Sequence, residues 1–325
     1  MTTQLDLGWN AAFLQEKIAE ATKVIQDCSL KTGDKPLIIQ FSGGNDSMTL
    51  LQLVRDAGVT NFCCGYMATG TELPGVVTFV RNFCKENGIR VLVSHPGLHK
   101  GNIFQRIDRF KSFPNLGSFD GGGKRLWCCR DLKLRPQKKL INATFGKGTY
   151  YRLEGIRRFE SARRKNIYRQ YVETFMRPDD EFKGSWEVYP ILNWSDDDVK
   201  KYIELKKLPV LKLYKEFGVS GCSWCPFYSP ELYAGVIRQL PDWGIYKRII
   251  EWEEKLNIPS VQGGVFLRDI KQAVLEGTPI PVSNKNNKKK SPCMIEWEGK
   301  MVPTCSIYGH LFLGGHCFRC GLEEK

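Results

Sequence analysis

The sequence has nowhere the roughly 18 uninterrupted apolar positions that a membrane-spanning helix needs. The opening MTTQLDLGWNAAF has no basic segment followed by an apolar one, so no secretory signal is expected and a cytoplasmic location is. Without an oxidising compartment, the twelve cysteines are not expected to be spent on structural disulfides. No internal repeat is found, which removes solenoids and propellers. The GxxxxGK[ST] phosphate loop is also absent. Nor is the composition that of a disordered chain, with 42% hydrophobic and 26% charged residues.

What is present is a basic chain of 325 residues with formal charge +13, long enough for one large domain or two smaller ones. Such a surface suits a polyanion, a small anionic substrate or an acidic partner, and it equally describes a solvated face with a basic bias. Charge alone does not establish nucleic-acid binding. Four of the cysteines, Cys28, Cys63, Cys64 and Cys84, lie in apolar segments and read as small buried hydrophobes. The others cluster: Cys128–Cys129 are adjacent, and Cys222 and Cys225 form a CxxC. Cys317 and Cys320 form a second CxxC, with Cys293 and Cys305 upstream. Clusters of this kind hold metals or do redox chemistry more often than they pack.

Apolar positions at Phe13, Leu14, Ile18, Ala21 and Ile25 have helical spacing over residues 10–27. The run Pro36–Phe41 fits a buried strand, followed by a Gly-rich loop and a helix over Met48–Asp56. Strand Asn61–Met67, helix Pro74–Glu86 and strand Ile89–Val93 continue the alternation. Further strands are expected at Tyr150–Glu154 and Trp186–Leu192. This spacing predicts crossover units and an α/β fold with a mostly parallel sheet and flanking helices. Residues 97–126 read mostly as loop, a candidate flap. Ser195 can cap a helix whose first turn carries Asp196, Asp197 and Asp198. Helices are expected over Glu231–Leu240 and Tyr246–Leu256. The segment 259–292 reads as exposed linker around a solvated basic cluster. The expected organisation is a helical segment at 1–35, a nucleotide-binding domain at 36–228, a helical extension and linker at 229–285 and a Cys-rich module at 286–325.

Ser42-Gly43-Gly44-Asn45-Asp46-Ser47 sits between the first strand and its helix. Two glycines admit close backbone approach, and successive N–H groups, the helix start and two hydroxyls can hold oxyanions. Asp46 would brace the loop through backbone hydrogen bonds or help to hold Mg²⁺. The alternative is an ordinary Gly-rich turn. SGGNDS resembles the SGGxDS signature of the PP-loop, or adenine-nucleotide alpha-hydrolase-like, superfamily, with Asn45 at its variable position.

Within that superfamily the chain resembles the phosphoadenosine-phosphosulfate and adenylylsulfate reductases. Met67-Ala-Thr-Gly-Thr-Glu-Leu-Pro74 is similar to their DTG…PET segment, which implies nucleotide-binding roles for Thr69 and Gly70. Gly155-Ile-Arg-Arg-Phe-Glu-Ser-Ala-Arg-Arg164 resembles their anion-binding segment, which implies such roles for Gly155, Arg157, Arg158 and Arg164. Guanidinium groups make paired hydrogen bonds to phosphate or sulfate oxygens. Arg157 and Arg164 are the expected pair, with Glu160 fixing an arginine; an exposed basic helix is the plainer alternative. The resemblance continues through Pro190–Val199 and Leu213-Tyr214 to Gly221–Pro226.

The same resemblance implies a [4Fe–4S] cluster on Cys128, Cys129, Cys222 and Cys225, with zinc or metal-free thiols as alternatives. In the tail, Cys293, Cys305, Cys317 and Cys320 have the ligand count of a closed zinc module. Cys320-Gly321-Leu322 is instead similar to the ECGLH that carries the reductases' nucleophile, which makes Cys320 a candidate catalytic residue. His95, His99, His310 and His316 are open to either a structural or a functional role. Trp127, Trp186 and Trp224 read as packing groups.

The resemblance thus implies thiol-dependent reduction of an adenine sulfonucleotide to sulfite, with a thioredoxin-like thiol donor and a homodimer among the expected partners. Two other classes remain open. One is ATP-dependent thiolation of DNA or RNA, which would bring Mg²⁺. The other is a non-enzymatic, metal-containing subunit that binds nucleic acid.

Overall fold

The apolar run after Pro36 has no alternation, so both of its faces must be covered. In the computed structural model this run is β1, Leu37–Gln40, and Leu37, Ile38 and Ile39 are fully buried. The structure describes residues 4–114, 126–218, 221–282, 293–297, 300–304, 312–313 and 316–317. The chain divides into two compact units. One comprises Met1–Ala68, Pro74–Leu98 and Leu134–Tyr214; the other comprises Thr69–Leu73, His99–Lys133 and Lys215–Lys325.

The first unit carries the sheet. After α1, Gln4–Lys31, the chain runs through β1, α2 (Asn45–Asp56), β2 (Phe62–Met67), α3 (Val76–Glu86) and β3 (Val91–Ser94). Three further strands follow later in the chain: β4 (Tyr151–Leu153), β5 (Met176–Pro178) and β6 (Trp186–Val188). The strand order is β3-β2-β1-β4-β6-β5. All neighbours are parallel except β5, which runs antiparallel to β6 at the edge. Register is set at the centre, where Ile38 faces both Cys63 on β2 and Arg152 on β4. From β1 the chain winds outward to β2 and β3, then returns to place β4 on the other side. The strand order therefore reverses between β1 and β4, and in open α/β sheets the crevice at such a reversal receives the ligand.

Burial explains why the sheet holds. Ile38, Cys63, Ile141, Tyr150 and Phe182 form one apolar cluster. The four cysteines in apolar segments are indeed buried, and burial pushes the Cys28 and Cys63 thiols up to about 12. On the β4 side the interior is charged. Arg152 is fully buried, its Nη1 lies 2.6 Å from Asp179, and it also pairs with Glu154 and Glu187. Arg177 donates to Glu187 at 2.6 Å, as does the Tyr189 hydroxyl.

The remaining helices in chain order are α4 (Ile103–Phe110), α5 (Trp127–Cys129), α6 (Arg135–Phe145), α7 (Ala162–Ile167), α8 (Asp196–Lys206) and α9 (Leu213–Phe217). Then come α10 (Pro230–Gln239), α11 (Gly244–Leu256) and α12 (Leu267–Glu276). A π turn at Arg130–Leu134 joins α5 to α6. Ser195 caps α8 by accepting from the Asp198 N–H, and Asp198 accepts in return from the Ser195 N–H at 2.7 Å. Among the described residues no helix is long and apolar enough to cross a membrane.

Three elements depart from the sequence reading. Within the segment read as loop, Ile103–Phe110 is a helix, because Asn102 and Gln105 form a reciprocal capping box. β5 is too short to show a period. In the segment read as linker, Leu267–Glu276 is a helix, with Leu267, Ile270 and Ala273 buried along one face. The expected Cys-rich module is not shown. β7 (Cys293–Trp297) pairs with β8 (Lys300–Thr304), and β9 (Phe312–Leu313) pairs with β10 (His316–Cys317). Cys305, Cys320 and His310 lie outside the described residues.

Candidate functional site

β1 ends at the reversal point, and the loop that leaves it is shaped by its neighbours. Gly43 has φ +79°, and a Cβ there would lie 2.6 Å from Cε1 of Phe79. Gly44 is extended, at φ −79°, and a Cβ there would lie 3.1 Å from Cδ2 of Tyr214. Glycine is thus required at 43 by backbone and space together, while at 44 an aromatic ring only crowds a larger residue. The Tyr214 hydroxyl donates to the Ser42 carbonyl at 3.1 Å, and the Leu211 N–H donates to the Gly43 carbonyl at 2.9 Å. From within, Ser47 Oγ donates to the Gly44 carbonyl at 2.9 Å and accepts from the Ser42 N–H at 3.2 Å. The Ser42 and Ser47 hydroxyls are 3.2 Å apart. α2 begins at Asn45 without a side-chain cap. Its first N–H groups therefore keep the donor capacity and positive helix end that oxyanions fill.

The exit from β4 runs against this loop. A Cβ at Gly155 would lie 3.0 Å from the backbone carbon and oxygen of Asp46, so only glycine lets the two chains pass. Two residues on, Arg157 Nε donates to Asp46 Oδ1 at 2.8 Å. Its Nη1 lies 2.7 Å from Asp196 Oδ1 at the start of α8, and its Nε lies 4.0 Å from Glu160. Arg164 pairs with Glu160 one turn away. Burial works against the charge on Arg157, but the carboxylates of Asp46 and Asp196 hold its pKa above the usual arginine value. Burial also pushes the Glu160 carboxyl up to about 7, against the pull of Arg164 and with the help of the Asp46 charge. Arg158 stands apart from this set, its guanidinium over the half-exposed ring of Phe159.

The expected Thr69 and Gly70 belong to the second unit. There Glu72 accepts from the Gly70 N–H at 2.9 Å and from the Thr69 hydroxyl at 2.6 Å. The Ser223 N–H, inside the CxxC, donates to the Thr71 carbonyl at 2.9 Å. Thr69 Oγ1 is 3.5 Å from Cys222 Sγ. The 69–72 turn and the CxxC turn are therefore tied together within that unit. Tyr233 and Tyr246 donate to the carbonyls of Cys225 and Ser223 at 2.7 and 2.8 Å. Trp127 and Trp224 are buried packing groups, as their sequence context implies.

Among the described residues the thiols of this unit interact without forming a metal site. Lys133 is held well above the ordinary lysine value by Cys222 first, and also by Cys129 and Cys225. A hydrogen bond with Cys129, together with burial, raises the Cys128 thiol, and burial pushes Cys225 up to about 11. Among the described residues no three or more His, Cys, Asp or Glu side chains form a group able to hold a metal ion. This overturns the expected cofactors. Neither the [4Fe–4S] centre on Cys128, Cys129, Cys222 and Cys225, nor the tail zinc, nor Mg²⁺ has a described donor set. The Asp46 carboxylate, for its part, is engaged by Arg157.

Sequence reasoning picked out the loop, Gly155, Arg157, Glu160 and Arg164, and the structure brings these together in one unit. It missed Asp196 as a partner of Arg157, although three consecutive acids exceed what one helix cap needs. It also missed Phe79 and Tyr214 as the walls of the loop. His99 lies 3.7 Å from Asp131 in the second unit.

Comparison with known proteins places the chain in a family. The model of the phosphoadenosine phosphosulfate reductase domain matches residues 36–228. The chain is 27% identical over 227 residues to an uncharacterized protein of Methanocaldococcus jannaschii, covering 69% of this chain but only 43% of that protein's length. It is 28% identical over 190 residues to adenosine 5′-phosphosulfate reductase 2 of Bacillus subtilis, covering 52% of this chain and 73% of that one. It is 32% identical over 184 residues to adenosine 5′-phosphosulfate reductase of Halalkalibacterium halodurans, covering 50% and 72%. The chain belongs to the phosphoadenosine phosphosulfate reductase domain family.

Proposed function

We propose that the chain reduces an adenine sulfonucleotide, adenylylsulfate or its 3′-phosphorylated form, to sulfite at the expense of thiols. The observation that supports this best is the ion pair between Arg157 and Asp46. It holds the anion-binding segment after β4 against the phosphate loop after β1, at the reversal of the sheet. Backbone N–H groups at 43–47 with the Ser42 and Ser47 hydroxyls bind the nucleotide phosphate, and Arg157 and Arg164 bind the sulfate or a second phosphate. Thr69, Gly70 and Arg158 are secondary candidates for the nucleotide.

The chemistry needs two thiols. A thiolate, for which Cys320 is the candidate, attacks the sulfate sulfur; the S–O bond to the phosphate breaks and the adenosine phosphate leaves. A second thiol, from a thioredoxin-like donor, attacks the resulting thiosulfonate and releases sulfite. Two thiols become one disulfide as sulfur gains two electrons. The test is sulfite release from each sulfonucleotide with a reducing dithiol or thioredoxin. Wild type is expected to release sulfite from at least one of them. Cys320→Ser should abolish release, and Arg157→Ala should weaken it at least tenfold. Pyrophosphate release from ATP in the presence of DNA or RNA, with no sulfite formed, would replace this reading with nucleic-acid thiolation.

A further inference from the structure

The charges around Arg157 do not balance. Three carboxylates, from Asp46, Glu160 and Asp196, face two guanidinium groups, from Arg157 and Arg164, leaving the set at one negative charge. Each carboxylate comes from a different place: Asp46 from the first turn of α2, Asp196 from the first turn of α8, and Glu160 from the turn between β4 and α7. Asp198 on α8 adds nothing here, because Lys17 takes it. An incoming phosphate or sulfate that replaced nothing would raise the negative charge of the set further.

One carboxylate must therefore yield. Asp196 is 87% exposed and faces solvent. Asp46 is paired directly with Arg157 and is part of the loop that the nucleotide needs. Glu160 is 21% exposed, sits between the two arginines and has the Asp46 carboxylate beside it. It competes with a ligand for Arg164, lies 4.0 Å from Arg157, and is the carboxylate that burial disfavours most.

We propose that Glu160 is a positioning residue that takes up one proton from solvent when an anionic group of the sulfonucleotide occupies Arg157 and Arg164, passing Arg164 from an internal carboxylate to the substrate and removing a negative charge beside Arg157. This rests on the function proposed above. The carboxyl of the free protein, pushed up by burial to about 7, is already poised for that step. The sign follows from linkage. A bound anion raises the Glu160 pKa further, so the complex holds more protons than the free protein. Below pH of about 7 Glu160 is already protonated and affinity is flat. Above it, affinity falls about tenfold per pH unit until the pKa of the complex is reached.

The experiment is calorimetric titration of the full-length protein with adenosine 5′-phosphosulfate from about pH 6 to 9, in buffers of different ionisation enthalpy. That ligand has no group ionising in this range. Wild type should take up close to one proton per nucleotide at about pH 8. Glu160→Gln keeps the volume and a hydrogen-bonding amide; it should take up none, with affinity independent of pH and near the acid-limit value of wild type. Binding without proton uptake in wild type, or uptake that persists in Glu160→Gln, overturns the role of Glu160 and leaves the proposed function standing. Failure of the nucleotide to bind at any pH overturns both.

Discussion

Replacing the two loop glycines one at a time separates conformational demand from simple crowding. At Gly43 the φ of +79° places an alanine in the left-handed region, at about 1–2 kcal/mol. The new methyl would also lie 2.6 and 2.8 Å from two ring carbons of Phe79. That ring stacks on Phe83 at 6.0 Å between centroids, so it cannot retreat freely, and overpacking adds about 1–3 kcal/mol. At Gly44 the backbone is extended and admits any residue. The Tyr214 ring must shift only a few tenths of an ångström from a 3.1 Å contact, and the lower entropy of an unfolded alanine offsets about 0.4–1 kcal/mol. Gly43→Ala should therefore cost about 3 kcal/mol, or roughly 6–12 °C in Tm for a unit of this size, and Gly44→Ala close to nothing. Thermal unfolding reads both. Equal losses in the two variants, or a neutral Gly43→Ala, would refute the reasoning.

Two further outcomes test the charged interior. Arg152→Met would leave Asp179 buried without its cation and Glu187 with Arg177 alone, and should cost about 3–5 kcal/mol in urea unfolding; a loss under about 1 kcal/mol would show that the carboxylates repack or take up protons at little cost. Lys17→Met should cost about 1–3 kcal/mol at neutral pH by removing the Asp198 pair. Although burial opposes it, hydrogen bonds from Lys17 and Ser195 hold the Asp198 carboxyl below its usual 3.8. The pair's stabilisation is thus complete above that pH and lost as pH falls through the folded value. The difference between wild type and variant should close in acid, and a gap unchanged at about pH 2 would assign the loss to packing.

Much of the sheet was legible because its strands are long-range consequences of short-range patterns. β1 is a continuous apolar run and is buried on both faces; β2 and β3 follow helices that end at Gly58 and Gly88. Where the period was short or the cap was the stronger signal, reading failed. β5 has three residues, and α4 is declared by Asn102 and Gln105 more than by any apolar stripe. The site divides in the same way. Gly155 and Arg157 stand in a recognisable segment, so they could be named. That a Cβ at Gly155 would strike the Asp46 backbone, or that Arg157 reaches Asp196, is a fact of tertiary distance. The cysteine spacing misled for a related reason. Spacing counts candidate donors, but whether they converge on a metal depends on which neighbours claim them, and Lys133 claims Cys222.

The arrangement of Arg157 has a consequence for binding. The first turns of α2 and α8 each present a carboxylate, Asp46 and Asp196, and both grip one guanidinium. Arg157 is 8% exposed on its side chain and fixed from two directions, so it has little rotamer freedom left to lose. The entropy of holding a long cationic side chain, on the order of 1 kcal/mol, is lost on folding and not on ligand binding. That makes Arg157 suited to orienting a substrate anion. Arg164, 37% exposed and paired with Glu160 among the described residues, is the more exposed of the two arginines.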